Sequence, residues 1–129
     1  MRKAARALAK AYDAALSPCA LKSTQFPILV ALHAKGPTRI QDLAETLALD
    51  RTTLTRNLVP LQRRGLIRDA EGSDPPFRTL RLTEAGEALL QEALPYWQKL
   101  QERLVASLGA ERAEQLRTEL RDLAAATER

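Results

Sequence analysis

Arg51-Thr52-Thr53-Leu54-Thr55-Arg56-Asn57-Leu58-Val59-Pro60-Leu61-Gln62-Arg63-Arg64 is the stretch on which the reading of this chain turns. Leucines at 54, 58 and 61 fall on one side of a helix of 3.6-residue period. The other side carries hydroxyls, an amide and arginines. Between positions 51 and 68 there are five arginines and no acid. Base edges in the major groove are read by hydrogen-bond donors and acceptors, and phosphates are held by cations. A helix anchored by leucine that presents this chemistry outward has what a groove reader needs.

The segments on either side fit the same reading. Thr38-Arg39-Ile40-Gln41 matches a capping box, with Thr at the cap and Gln three residues on. The helix it opens places Ile40, Leu43, Ala44 and Leu47 on one face. Ala48-Leu49 then turns the chain, and Asp50 is placed to cap the next helix and favour its positive end. Small Ala44 and the short turn at Ala48 are the steric marks of a helix-turn-helix. Gly65 ends the second helix. Leu66-Ile67-Arg68-Asp69 and Thr79-Leu80-Arg81-Leu82 are short alternating segments separated by the turn residues Gly72, Ser73, Asp74, Pro75 and Pro76. They predict a β-hairpin wing.

Working further outward, Ala4, Leu8, Tyr12 and Leu16 recur every four residues, so residues 2–17 read as an amphipathic helix closed by Ser17-Pro18. A second helix is expected from Ser23 or Thr24, with Pro27 tolerated in its first turn and Gly36-Pro37 as its stop. Its apolar run, residues 26–32, also suits a buried strand; the cap and the Ala34-Lys35 tail favour the helix. Thr83-Glu84 opens a long helix carrying Leu89, Leu90, Ala93, Leu94, Trp97, Leu100, Leu104 and Leu108, with a kink expected at Pro95. After Gly109 a last helix sets Ala113, Leu116, Leu120 and Leu123 in a 3-4-3 spacing.

The fold class expected is therefore mainly α with a small β-hairpin wing. A winged helix of roughly sixty residues is already compact, so the flanking amphipathic helices need cover. A second copy of the chain is the economical answer. Residues 1–129 then form one domain, with 23–83 as the winged helix-turn-helix and 1–22 and 84–129 as dimerisation helices. In such a homodimer two reading helices lie about one helical turn apart on a pseudo-palindromic stretch of double-stranded DNA.

Composition excludes several other classes. At 129 residues one domain with a usable core is expected. The net charge of +4 and pI near 9.6 suit a polyanionic partner, though far less than in ribosomal or histone-like chains. One Cys cannot form an internal disulfide, which fits a reducing cytoplasm. The longest apolar run is seven residues, against the roughly twenty that span a bilayer, and no signal core follows the basic N-terminus. A cytoplasmic protein without a membrane partner is expected. There is no Gly-rich phosphate loop, nucleophile elbow or paired-histidine metal motif, so neither enzyme nor cofactor is expected. With one Cys and one His there is no soft-ligand cluster for a metal.

Over nearly its whole length the chain resembles the MarR family of winged-helix regulators. The resemblance is carried by Leu43-Ala44-Glu45, by Leu47 through Arg56, by Leu58, Leu61 and Arg64-Gly65-Leu66-Ile67, by Leu80-Arg81-Leu82-Thr83-Glu84-Ala85-Gly86, and by Gln25-Phe26. It implies an obligate homodimer that represses, less often activates, nearby genes, in response to a small aromatic or lipophilic effector or to cysteine oxidation. It places Thr52, Thr53, Thr55, Arg56 and Asn57 on the recognition surface, beside Arg51, and Arg39 where the preceding helix meets the DNA backbone. One departure stands out. The family's wing usually follows an Asp with arginine that enters the minor groove, whereas here Asp74 precedes Pro75-Pro76. Arg78, two residues later, is the candidate substitute from a shifted position; without it, wing readout is lost and affinity rests on the recognition helix and phosphate contacts.

Several residues carry two readings. Arg63 and Arg64 suit either phosphate contact or the helix dipole. Arg68 and Arg81 suit the solvent face of the wing, and Asp74 suits the organisation of its tip. Cys19 reads as a passive, partly buried thiol, with a redox sensor as the alternative. His33 reads as a packed or surface residue. Tyr12, Tyr96 and Trp97 read as dimer-core aromatics, with a ligand-pocket wall as the alternative. A winged-helix protein-interaction module without specific DNA binding is the competing function, and Pro75-Pro76 is its best support.

Overall fold

The computed structural model describes residues 2–72 and 78–127. Asp74, Pro75 and Pro76, on which the wing-tip expectations rest, lie outside the described residues. Six helices and a small sheet follow one another as α1 (Arg2–Leu16), α2 (Phe26–Lys35), β1 (Thr38–Arg39), α3 (Ile40–Leu47), α4 (Arg51–Arg63), β2 (Ile67–Asp69), β3 (Thr79–Leu82), α5 (Glu84–Leu108) and α6 (Ala110–Thr127). A single 3-10 turn, Ser17–Cys19, joins α1 to α2. This is the winged helix-turn-helix expected, with long helices at both ends.

The apolar stripes explain the packing. Leu54, Leu58 and Leu61 of α4 are each at most 2% exposed and meet Leu43 of α3, Ile28, Leu29 and Leu32 of α2, and Leu66, Ile67 and Leu80 around the wing in one core. Each such leucine contributes roughly 1.5–3 kcal/mol by leaving water. The ambiguous run at 26–32 is a helix. It is buried at Phe26, Ile28, Leu29, Ala31 and Leu32, so period alone could not separate it from a buried strand. Phe26 stacks on Trp97 of α5 with ring centroids 5.9 Å apart. Trp97 therefore serves the core within one chain. The Tyr12 hydroxyl donates to Gln101 Oε1, tying α1 to α5, whereas Tyr96 is 40% exposed.

Two expectations about helix starts need correcting. Thr38 is not the cap of α3. It lies in β1, its hydroxyl donates to the Gly36 carbonyl, and Arg39 occupies the cap position with no side-chain cap bond. The reason is tertiary: β1 pairs antiparallel with β3, Thr38 opposite Leu80 and Arg39 opposite Thr79, which holds Thr38 in extended backbone. The wing is accordingly a three-stranded sheet of order β1-β3-β2 rather than a lone hairpin. Likewise α2 begins at Phe26, after Ser23 and Thr24, with Gln25 at its cap. Buried Gln25 turns its Oε1 to accept from the Lys22 amide at 3.0 Å. Pro27 does sit in the first turn. Pro95 lies inside α5, which continues as one element to Leu108.

The terminal helices leave apolar residues uncovered: Leu8 on α1 and Leu116, Leu120 and Leu123 on α6 are 43–52% exposed. α1 and α5 pack on each other, and α6 folds back on α5. Among the described residues no helix is long and apolar enough to cross a membrane.

Candidate nucleic-acid interface

α4 starts where Asp50 stops the turn. The Asp50 carboxylate accepts from the Thr53 amide at 2.8 Å and from the Thr53 hydroxyl at 2.9 Å. These bonds, the backbone one foremost, hold its carboxyl below the ordinary aspartate value. Ahead of it Ala48 takes the left-handed conformation, φ 54°, and its amide and that of Leu49 close back on α3. That tight reversal joins α4 to α3 through only Ala48, Leu49 and Asp50.

From this start the helix period sorts the predicted residues. Arg51, Thr52, Thr55 and Arg56 are all exposed and together line one shallow depression of about 450 Å³. They fall at i, i+1, i+4 and i+5, opposite the leucine stripe. Thr53 and Asn57 are placed differently. Thr53 is half-buried with its hydroxyl on Asp50, and Asn57 donates its amide to the Thr53 carbonyl at 3.0 Å. Two of the residues expected on the reading surface are thus engaged along their own helix.

Pro60 adds a feature that sequence reading passed over. Having no amide, it cannot pair with the Arg56 carbonyl one turn earlier, so the helix continues there without that bond. The proline four residues after Arg56 was the available signal.

Arg39 and Arg78, distant in sequence, come together at the root of the wing. β1 lies beside β3, and the Ile40 amide donates to the Arg78 carbonyl at 3.4 Å. The fold thus sets two basic residues beside the start of α3. Arg78 is not a loose groove finger, however. Its Nε donates to Asp69 Oδ1 at 2.6 Å, an ion pair across the base of the wing that sequence reading missed. Asp69 sits at the last position of β2 opposite Leu80, two residues beyond Arg78, and hairpin proximity was the signal available. On the outer wing face Arg68 stands directly across from Arg81, both exposed. Like charges at opposed positions repel.

The remaining candidates fall into place. Cys19 is 4% exposed, and burial pushes its thiol up, with Glu92 adding to the shift and Arg64 opposing it. A buried thiol with raised pKa is the unreactive kind. His33 is a surface residue whose Nδ1 meets Glu87 Oε2 at 2.7 Å, linking α2 to the first turn of α5. Arg64 is exposed, and its guanidinium donates to the carbonyls of Cys19 and Ala20.

Comparison with known proteins agrees with this geometry. The MarR family model matches residues 21–69. The M. tuberculosis transcriptional regulator MosR, solved in complex with DNA, is 38% identical, with a TM-score of 0.87 over 98% of this chain and 92% of MosR. The transcriptional repressor CouR, solved with p-coumaroyl-CoA, is 25% identical, with a TM-score of 0.87 over 95% of this chain and 87% of CouR. The HTH-type transcriptional regulator YwoH of Bacillus subtilis is 27% identical over 111 residues, 86% of this chain and 81% of YwoH. Matched in sequence through its helix-turn-helix and in fold along nearly its entire length, this chain belongs to the MarR family of winged-helix transcriptional regulators.

Proposed function

We propose that the chain acts as a homodimeric repressor, each protomer setting α4 into the major groove of one half of a pseudo-palindromic operator. The observation that carries this reading is the acid-free face of Arg51, Thr52, Thr55 and Arg56, exposed together on a helix anchored by three buried leucines. Arg39 and Arg78 at the wing root supply phosphate contacts on the flank, and Thr53 and Asn57 support the face from within the helix. The Arg68–Arg81 pair supports the same partner, since opposed arginines are relieved by a phosphate. The second copy covers Leu8, Leu116, Leu120 and Leu123, so residues 1–22 and 84–129 form the dimer and residues 23–83 read DNA. MosR and CouR have both been solved with DNA, and CouR with an aromatic thioester. We infer an effector of small aromatic or lipophilic type acting on the spacing of the two readers.

The test is fluorescence anisotropy on the DNA upstream of the protein's own coding region, against a scrambled duplex, over a salt series. Tight binding to the native duplex alone, two chains per site, is expected. Arg56→Ala weakens that binding by about 1–3 kcal/mol with helical content unchanged. Equal, steeply salt-dependent binding to both duplexes overturns specific reading.

A further inference from the structure

Among the described residues, hydrogen bonds tie the C-terminal end of α4 to segments beside two of the terminal helices. Arg64, the residue after that helix, reaches the 3-10 turn that follows α1. Its Nη1 donates to the Ala20 carbonyl at 2.8 Å and its Nη2 to the Cys19 carbonyl at 3.1 Å. Carbonyls at the end of a helical turn lack helical partners and carry partial negative charge. Here they are presented by a left-handed Ala20, φ 53° and ψ 38°, whose amide closes the turn on Ser17. A guanidinium is a planar fork that fixes two acceptors at once, which an ammonium does not. Arg64 therefore holds α4 in orientation to this turn as well as in contact with it.

The opposite side of the same point is tied to α5. The Thr83 amide donates to the Leu66 carbonyl at 3.0 Å and the Thr83 hydroxyl to the Gly65 carbonyl at 2.6 Å. Gly86 lies so close that a Cβ there would be 2.1 Å from the Leu66 carbonyl oxygen. So the end of α4 is gripped between the turn after α1 and the start of α5, and α1 itself packs on α5, Tyr12 bonding to Gln101. The reading residues lie at its far end. With 13 residues at about 1.5 Å each, the helix is a lever of roughly 20 Å, and a tilt of about 5° at the grip moves the Arg51 end by about 2 Å.

We propose that Arg64 is a positioning residue that transmits the geometry of the α1–α2 junction to the reading helix, and that it is not a phosphate contact. This rests on the reading of α4 as one of a pair of DNA readers. In that setting, fixing the lever fixes the separation of the two reading faces. Half-site spacing on the DNA is matched by the grip as well as by the dimer contact.

The experiment has two arms that fail separately. In the first, Lys10→Cys and Thr52→Cys, both exposed, carry spin labels, with buried Cys19 left in place. The α1-to-α4 distance distribution is measured by pulsed electron spin resonance, in protein diluted with unlabelled chain. Arg64→Ala broadens or shifts the distribution, and Arg64→Lys restores it only partly. An unchanged distribution overturns the proposal whatever the protein binds. In the second arm, unlabelled variants are titrated on a duplex that the wild type binds, and on duplexes with one base pair inserted or removed between half-sites. Arg64→Ala lowers affinity about tenfold at the preferred spacing, narrows the difference between spacings, and leaves the salt slope unchanged. A salt slope reduced by about one, with equal loss at every spacing, marks a phosphate contact and overturns the proposal. Should the wild type bind no duplex specifically, the DNA reading falls while the distance arm still decides the role of Arg64. Circular dichroism establishes that each variant is folded, and Arg64→Lys serves if Arg64→Ala is not.

Discussion

Replacing Gly86 by alanine tests how tightly the wing is locked to α5. An added Cβ lies 2.1 Å from the Leu66 carbonyl oxygen and 3.1 Å from both the Leu66 carbonyl carbon and Leu82 Cδ2. The nearest obstacle is backbone, which cannot swing aside as a side chain would. Leu66 and the first turn of α5 must separate by roughly an ångström. That motion strains or breaks the Thr83 amide bond to Leu66 and the Thr83 hydroxyl bond to Gly65. Each hydrogen bond contributes about 1 kcal/mol, and overpacking a tight site costs about 1–3 kcal/mol. Alanine's better helix propensity returns about 1 kcal/mol. The net expectation is a destabilisation of about 2–4 kcal/mol, or a fall in Tm of about 8–16 °C for a chain of this size. Thermal denaturation followed by circular dichroism measures it, at one protein concentration because dimerisation shifts apparent stability. A Tm within a couple of degrees of wild type would refute the reasoning, since it would mean that the carbonyl can retreat without loss.

Asp50 yields a pH prediction. Its folded pKa is lowered by the Thr53 bonds, so its contribution is fully present above the unfolded value of about 3.9 and is lost as pH falls through the folded value. Denaturation from about pH 6 to about pH 2 should therefore show an acid-side loss that is smaller in Asp50→Asn, which keeps a neutral cap. A double-mutant cycle on Asp69 and Arg78 should give a coupling of at most about 1 kcal/mol, because the pair is partly exposed; a larger value would show the wing base to be far better shielded than its exposure indicates. Cys19 should resist a thiol reagent in the native protein and react once denaturant is added; rapid native labelling would reopen a sensor role.

Local pattern carried most of the fold. The leucine spacing of α4, the Asp50 and Thr83 caps, the stop at Gly65 and the alternation in β2 and β3 are all short-range, and each is set by residues within a few positions. The candidate reading face was legible for the same reason: once α4 is a helix with Leu54, Leu58 and Leu61 inward, Arg51, Thr52, Thr55 and Arg56 must point outward. What misled was also short-range. Thr38 had the right neighbours for a cap, yet strand pairing with Leu80, more than forty residues away, claimed its backbone.

The amino-acid sequence by itself determined the helix-turn-helix, the wing strands, the arginine-bearing face and the family to which the chain belongs, because periodicity and capping act between residues a turn or two apart. Only the tertiary structure decided the partners of the arginines. It set Arg78 against Asp69, Arg68 opposite Arg81, and Arg64 on the carbonyls of Cys19 and Ala20. A guanidinium's partner depends on which backbone the fold brings within about 3 Å of it, and no local rule along the chain specifies that.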